Sequence, residues 1–366
     1  MSYKVKDICN FMEEWAPEKL AADWDNVGLQ TGDPVQEVNA VLTCLSVTPE
    51  ALEEAKDMGA NMIVAHHPLI FRPIKTLRED YPHARLCAEI LRNRIACFVA
   101  HTNLDITEGG VNDILATKLG LTKIKPLFRD DSQRQFKLIT FVPKDHVDRL
   151  RDALALAGAG VIGDYSHCSF QSEGMGSFQP LEAAKPFSGE KGQLNLEPEI
   201  RLEMIVPAAT SAKILQALMN HHPYEEPAYD LIALENPNRR IGLGRQGILE
   251  EPMSLAVFGK KVRDALCLPH LVYYGQGEKK VRKVALLGGS GGKMVGKLPE
   301  NTDVYVSGDV GYHDAETAQL RDIACIDAGH WGTEQPVVME MKERLQEAFP
   351  QITVSAFLET APGIRL

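Results

Sequence analysis

The chain has 366 residues, 44% hydrophobic and 24% charged, a balance that predicts a folded protein with a sizeable core and roughly two domains. Its net charge of −11 comes without any basic block, which argues against a nucleic-acid-binding surface, and no apolar stretch approaches the length of a membrane span. The first residues run straight into amphipathic sequence without a signal-peptide core, so we expect a cytoplasmic protein. Its seven cysteines form no Cys-x-x-Cys pair, and Cys44, Cys97 and Cys325, inside apolar runs, read as buried reduced thiols.

Val5, Ile8, Cys9 and Met12 have helical spacing, and Pro17 follows. Asp23-Trp24-Asp25-Asn26-Val27-Gly28-Leu29-Gln30 reads as a polar turn with an apolar exit, with Asp23 and Asp25 as turn residues rather than metal ligands. A strand is expected over 40–47 and a helix over 49–58, with Thr48 as its N-cap. Met62-Ile63-Val64-Ala65 is a short buried strand that delivers His66 and His67 and is broken by Pro68. A helix around 83–93 precedes a second buried run, Ala96-Cys97-Phe98-Val99-Ala100, which ends in His101-Thr102-Asn103-Leu104-Asp105. Strands and helices alternating at this period imply a largely parallel α/β core.

The middle of the chain breaks the rhythm. A strand over 136–143 ends in Val-Pro, and a helix carrying Val147, Leu150, Leu154 and Leu156 follows. The theme repeats with a strand over 201–207 and a helix carrying Ile214, Leu215, Leu218 and Met219. This doubled βαβ pattern predicts a ferredoxin-like α+β unit. Residues 174–199, rich in Gly, Pro and Ser, read as loop. His221-His222-Pro223-Tyr224-Glu225-Glu226 lacks accompanying strand-end partners and reads as a turn or an interface with structural histidines.

The alternation then resumes with a helix over 254–266 and a strand over 281–287. The run Gly288-Gly289-Ser290-Gly291-Gly292-Lys293 is no Walker A loop, because Leu287 and Met294 stand where glycine and Ser or Thr are required, and a dinucleotide fingerprint also fails at Met294. There is no Gly-x-Ser-x-Gly elbow. Val304-Tyr305-Val306 leads into Ser307-Gly308-Asp309 and then His313, and Ile323-Ala324-Cys325-Ile326-Asp327-Ala328 leads into Gly329-His330-Trp331-Gly332-Thr333-Glu334. The outer parts, 1–128 and 252–366, are thus expected to form one α/β domain, interrupted by an inserted domain over 129–251.

Four apolar runs each deliver His or carboxylate at their carboxyl end, the edge of an open α/β sheet where ligands bind. His66, His67, Asp105, His330 and Glu334 together suit zinc, iron, manganese, cobalt or nickel. His330 and Glu334, four apart, can share a helical face. Two histidines leaning into one cleft suit two ions better than one, and a bridging carboxylate would leave each ion an open position. His101 and His313 are candidates for proton transfer or substrate contact.

Trp24-Asp25-Asn26-Val27-Gly28-Leu29, Ala65-His66-His67-Pro68, His101-Thr102-Asn103-Leu104-Asp105 and the Gly-His-x-x-x-Glu at 329–334 resemble the NGG-one-interacting factor three-like (Nif-three) family. Its bacterial members are often labelled GTP cyclohydrolase I type 2 homologues, and the resemblance spans essentially the whole chain. It implies a Nif-three-like α/β domain with a PII/CutA-like insertion. It also implies a dinuclear centre on His66, His67, Asp105, His330 and Glu334 holding two divalent ions per subunit, zinc first. A toroidal homohexamer, a dimer of trimers, and a small-molecule substrate such as GTP or another nucleotide follow from the same resemblance. Ser46 stands where members often carry Asp, and Tyr312-His313-Asp314-Ala315 where many have His-His-Asp-Ala; neither departure touches the five ligands. The expected function is a metal-dependent hydrolase of the GTP cyclohydrolase kind. The alternative is a non-catalytic metal-binding or regulatory hexamer whose insertion senses a ligand or gates the cavity.

Overall fold

The computed structural model describes residues 2–129, 134–235 and 241–361. The described residues fall into two compact units, one made of 2–129 and 241–361 and the other of 134–235.

The first unit begins with α1 (Val5–Trp15), β1 (Gly28–Thr31), β2 (Ala40–Cys44), α2 (Pro49–Asp57), β3 (Met62–Ala65), α3 (Pro82–Arg92), β4 (Ala96–Val99), α4 (Thr102–Ile106), α5 (Val111–Lys118) and β5 (Thr122–Arg129). The second unit holds β6 (Gln135–Pro143), α6 (Val147–Leu156), β7 (Ser169–Phe178), β8 (Asn195–Pro207), α7 (Ser211–His221) and β9 (Tyr229–Ala233). The chain then re-enters the first unit with β10 (Gly242–Ser254), α8 (Leu255–Ala265), β11 (Val272–Tyr274), β12 (Lys280–Ser290), β13 (Val304–Gly308), α9 (Tyr312–Leu320), β14 (Ala324–Asp327), α10 (His330–Glu334), α11 (Pro336–Ala348) and β15 (Thr353–Ala356).

Two sheets form the first unit, ordered β1-β4-β3-β2-β15 and β11-β14-β13-β12-β10-β5. In one, β15, β2, β3 and β4 run parallel, with β1 antiparallel at the edge. In the other, β12, β13 and β14 run parallel. β2, β3 and β4 are buried at every position, as expected of parallel strands covered on both faces. On one face Val5, Ile8 and Met12 of α1 meet Val338, Met341 and Leu345 of α11 over Val41, Met62 and Val64. On the other, Leu52 and Ala55 of α2 and Cys87 and Ile90 of α3 cover Leu42, Ile63 and Cys97. Leu255, Phe258 and Val262 of α8 pack on Val284, Leu286, Val306 and Ile326 of the second sheet. Thr48 caps α2 as expected, its Oγ1 accepting from Ala51 N at 3.1 Å.

In the second unit the strand order is β7-β8-β6-β9, with every neighbouring pair antiparallel. Leu150 and Leu154 of α6 and Ile214 and Leu218 of α7 cover Leu138, Val142, Leu202 and Met204. Strand, helix, strand, strand, helix, strand in this order is a split βαβ arrangement.

Two expectations need correction. The 174–199 stretch is loop only between β7 and β8: Ser169 to Phe178 pair residue by residue with Met204 to Asn195. β7 is largely exposed and carries Gly174 and Gly176, so no apolar alternation marks it as a strand. The second correction is the far boundary of the insertion, set at 251. β10 lies between β12 and β5 in the second sheet. Its Arg245 is buried and grips Asp113 of α5 in two hydrogen bonds of 2.6 and 2.7 Å, with a third to Thr107 O at 2.9 Å. Residues 242–251 therefore belong to the outer α/β unit.

Candidate metal centre

β3 and β4 lie side by side and parallel, so their carboxyl ends open in the same direction. β3 releases His66 and His67, whose backbone N–H groups still donate to Cys44 O at 3.1 Å and Leu45 O at 2.7 Å. β4 releases His101, and α4 starts at once and turns Asp105 inward. In the second sheet β14 ends at Asp327, Gly329 precedes α10, and α10 carries His330 and Glu334 one turn apart. Glycine is required twice behind them. A Cβ on Gly289, at φ +68°, would lie 2.1 Å from Glu334 Oε1, and one on Gly308 would lie 2.5 Å from His330 N.

The five expected ligands converge. His66 is fully buried; its Nδ1 donates to Ala100 O at 2.8 Å, leaving Nε2 as the inward atom. That Nε2 lies 3.8 Å from Asp105 Oδ1 and 3.8 Å from Glu334 Oε1. Glu334 Oε2 faces the other way, 2.9 Å from His67 Nε2 and 3.1 Å from His330 Nε2. Two ligand triads result, His66–Asp105–Glu334 and His67–His330–Glu334, and a third joins His66, His67 and His101. Within each, the ligand atoms lie within 4.8 Å of one another. His66 Nε2 and Asp105 Oδ1 are buried and have no hydrogen-bond partner among the described residues. Buried polar atoms are rarely left so, and an inward imidazole nitrogen opposite a carboxylate oxygen is the donor set a divalent cation takes.

Each imidazole is steered through its other nitrogen, the arrangement that orients metal-binding histidines. His67 Nδ1 is bonded to Ser46 Oγ at 2.9 Å, His330 Nδ1 donates to Asp309 Oδ2 at 2.8 Å, and His101 Nδ1 donates to Asp25 Oδ1 at 2.9 Å. Asp25 also accepts from Thr102 N at 3.1 Å.

The electrostatics follow from this packing. Burial works against a charged His66, but the Glu334 and Asp105 carboxylates outweigh it and lift its pKa to about 9. The hydrogen bond to Glu334 lifts His330 to about 9 against the effect of burial. Burial lowers His67 and pushes Asp105 up to about 6, with the charge of His66 opposing. Burial would raise Glu334, yet the surrounding imidazoles hold it well below the usual carboxylate range. Asp25 is likewise held low against burial by His101 and Thr102. The cluster thus keeps an ionised carboxylate among imidazoles whose protons a metal ion would displace.

His101 lies at the cluster, with ring centroids 5.3 Å from His66 and 5.7 Å from His67. His313 does not join it. It sits in the first turn of α9 with its side chain 90% exposed, 3.5 Å from Glu316 Oε2, because that helix presents this face to solvent. Asp25, read as a turn residue, instead anchors His101. Only the Trp-Asp-Asn motif pointed there, since 76 residues separate Asp25 from the histidine it holds. Asp309 was visible as a strand-end acid, but nothing in its spacing linked it to His330.

The fold and the cluster define a mixed α/β protein whose His/carboxylate groups could hold a metal ion. A family model described as Duf34/NIF3 (NGG1p interacting factor 3) matches residues 3–362, and the chain belongs to this family. It is 41% identical over 341 residues to a protein of Halalkalibacterium halodurans named GTP cyclohydrolase 1 type 2 homolog, covering 93% of this chain and 91% of the relative. A Bacillus subtilis protein of the same name is 40% identical over 331 residues, covering 90% and 89%. The crystal structure of a Bacillus cereus protein related to NIF3 superimposes with a TM-score of 0.73 at 39% identity, covering 100% of both chains. No helix among the described residues is long and apolar enough to cross a membrane.

Proposed function

We propose that this chain is a hydrolase that works with two divalent metal ions on a small heterocyclic substrate, with GTP as the leading candidate. The observation that carries this reading is the division of Glu334. Oε1 faces His66 and Asp105, while Oε2 faces His67 and His330. His66, Asp105 and Glu334 would hold one ion, and His67, His330 and Glu334 the other. Zinc is the first choice, and iron, manganese, cobalt or nickel suit the same donors. A divalent pair supplies Lewis acidity and a water acidified toward neutral pH. The chain's own part is steering. Ala100 O, Ser46 and Asp309 fix the imidazole planes, and the Asp25 carboxylate holds the His101 proton on Nδ1. His101 Nε2 is then free to accept a proton from a substrate at the mouth and return it. The name carried by the curated relatives supports attack at an electrophilic ring carbon such as the purine C8. The test is turnover of GTP by the metal-loaded protein. A ring-opened or formyl product is expected, and no turnover of any nucleotide with any of the five metals contradicts the reading.

A second reading has one observation in its favour. The inserted unit contains its own hollow of about 290 Å³, lined by Phe141, Phe178, Phe187, Tyr224 and Glu199 among others. A PII/CutA-like insertion with such a hollow suits a ligand sensor in a non-catalytic, metal-binding assembly. Excision of 134–235 separates the two readings: a sensor loses a ligand response while metal loading survives. We also propose a toroidal homohexamer, a dimer of trimers, acting in the cytoplasm. Sedimentation equilibrium tests it, with a mass of six subunits expected.

A further inference from the structure

The turn that carries Asp25 also carries Trp24, and nothing in the metal cluster accounts for that side chain. Trp24 is 63% exposed and Phe71 45% exposed, although both rings stand beside His101. Their centroids lie 6.3 and 6.5 Å from its imidazole and 5.9 Å from each other. The three rings meet edge to face, at 72° to 85°, so none is stacked flat on another and the indole retains open area. Two large aromatic rings left in water at the mouth of a polar site mark a surface that something covers.

The pair is also held in place. Asp25, next to Trp24, is fixed by His101 and Thr102. Asn26 Nδ2 donates to Ile70 O, beside Phe71, at 2.5 Å, and Ile70 N donates to Gln30 Oε1 at 2.7 Å. The two loops are therefore stitched to each other and to the cluster, and the aromatic rim is set before anything arrives. Phe71 also borders a hollow of about 420 Å³ that runs past Ile74 and Tyr81 and is lined by Arg72 and Lys75, both exposed. These two cationic groups border the same hollow as Phe71, in a chain whose net charge is −11.

We propose that Trp24 and Phe71 seat a planar heteroaromatic ring of the substrate at the mouth of the metal cluster, with Arg72 and Lys75 drawing its anionic substituent into the adjoining hollow. Aromatic side chains seat such rings whatever their hydrogen-bonding edge, so the rim selects a flat π-system, and His101 supplies the polar contact beside it. The proposal rests on the cluster being a site of turnover, and it adds the class of molecule that enters.

The test is calorimetric binding to the metal-loaded full-length protein, with metal content measured before and after. The ring-bearing probes are GTP and flavin mononucleotide, and inorganic tripolyphosphate is the ring-free control. The wild type is expected to bind both ring-bearing probes more tightly than tripolyphosphate. Trp24→Ala should weaken both by about tenfold, whereas Trp24→Phe keeps most of the affinity and Phe71→Ala loses less. Tripolyphosphate binding should be unchanged in these variants and should fall in the Arg72→Ala/Lys75→Ala double variant. The seat is overturned if GTP and flavin mononucleotide bind the wild type no better than tripolyphosphate, if Trp24→Ala binds them like the wild type, or if it loses tripolyphosphate binding to the same degree. Trp24-dependent binding without turnover removes the hydrolase reading and leaves the seat standing; turnover indifferent to Trp24 does the reverse.

Discussion

The same tripeptide occurs twice in this chain with opposite outcomes. His66-His67-Pro68 follows a buried parallel strand, and His221-His222-Pro223 begins on the last residue of a helix. His66 and His222 are both buried. His222 has both nitrogens taken by the backbone: Nε2 donates to Phe141 O at 3.0 Å, and Nδ1 accepts from Tyr224 N at 3.1 Å. His66 spends one nitrogen on Ala100 O and turns the other toward two carboxylates at 3.8 Å. The letters His-His-Pro therefore carry little by themselves. What differs is the company that neighbouring strand ends bring, backbone in one unit and carboxylate in the other.

The comparison breaks most readily at Glu334. Removing the carboxylate takes away the residue common to the His66–Asp105 and His67–His330 triads, so Glu334→Ala should lose nearly all bound metal, and His66→Ala at least one ion, by elemental analysis. Full retention in both would erase the contrast with the second His-His-Pro. Next in size is Gly289→Ala, at a positive φ and with its new methyl 2.1 Å from Glu334 Oε1. It should weaken metal binding even though no ligand has changed. Asp309→Asn and Asp25→Asn act one layer further out, through His330 and His101. The loss of Asp309 should cost about 10- to 100-fold in metal affinity, read by competition with a chelator, and that of Asp25 should show mainly in the pH profile of turnover. Smallest for the metal is His222→Ala. It should leave metal content untouched while destabilising its own unit by roughly 1 kcal/mol, because two half-buried backbone groups lose their partner. Urea unfolding followed alongside metal analysis would show whether the two effects separate.

Much of this centre is legible in the sequence because parallel strands are short, apolar and continuous, so their carboxyl ends can be read by eye. Met62–Ala65 and Ala96–Val99 announce themselves, and the His and Asp that follow are then candidates without further information. Contacts that close over long sequence distances are not legible. Asp25 reads as a turn until His101 stands opposite it, and Asp309 as a loop acid until His330 does. His313 shows the converse: a strand-end position nominated it, and the first turn of α9 leaves it in solvent, apart from the cluster. β7 escaped notice because strand patterning needs a buried face, and this one is mostly exposed and broken by glycine. The insertion's end was misplaced for a related reason. β10 belongs to the outer sheet through pairing with β5 and β12, strands more than a hundred residues before it and some forty after its start.

Glu334 is expected to stand between two cations. Anomalous diffraction from crystals of the metal-loaded protein measures this directly. We predict two peaks roughly 3.5–4 Å apart, one beside His66 and Asp105 and the other beside His67 and His330, with a Glu334 oxygen on each. A single peak, or two peaks with Glu334 bound to neither, would contradict it.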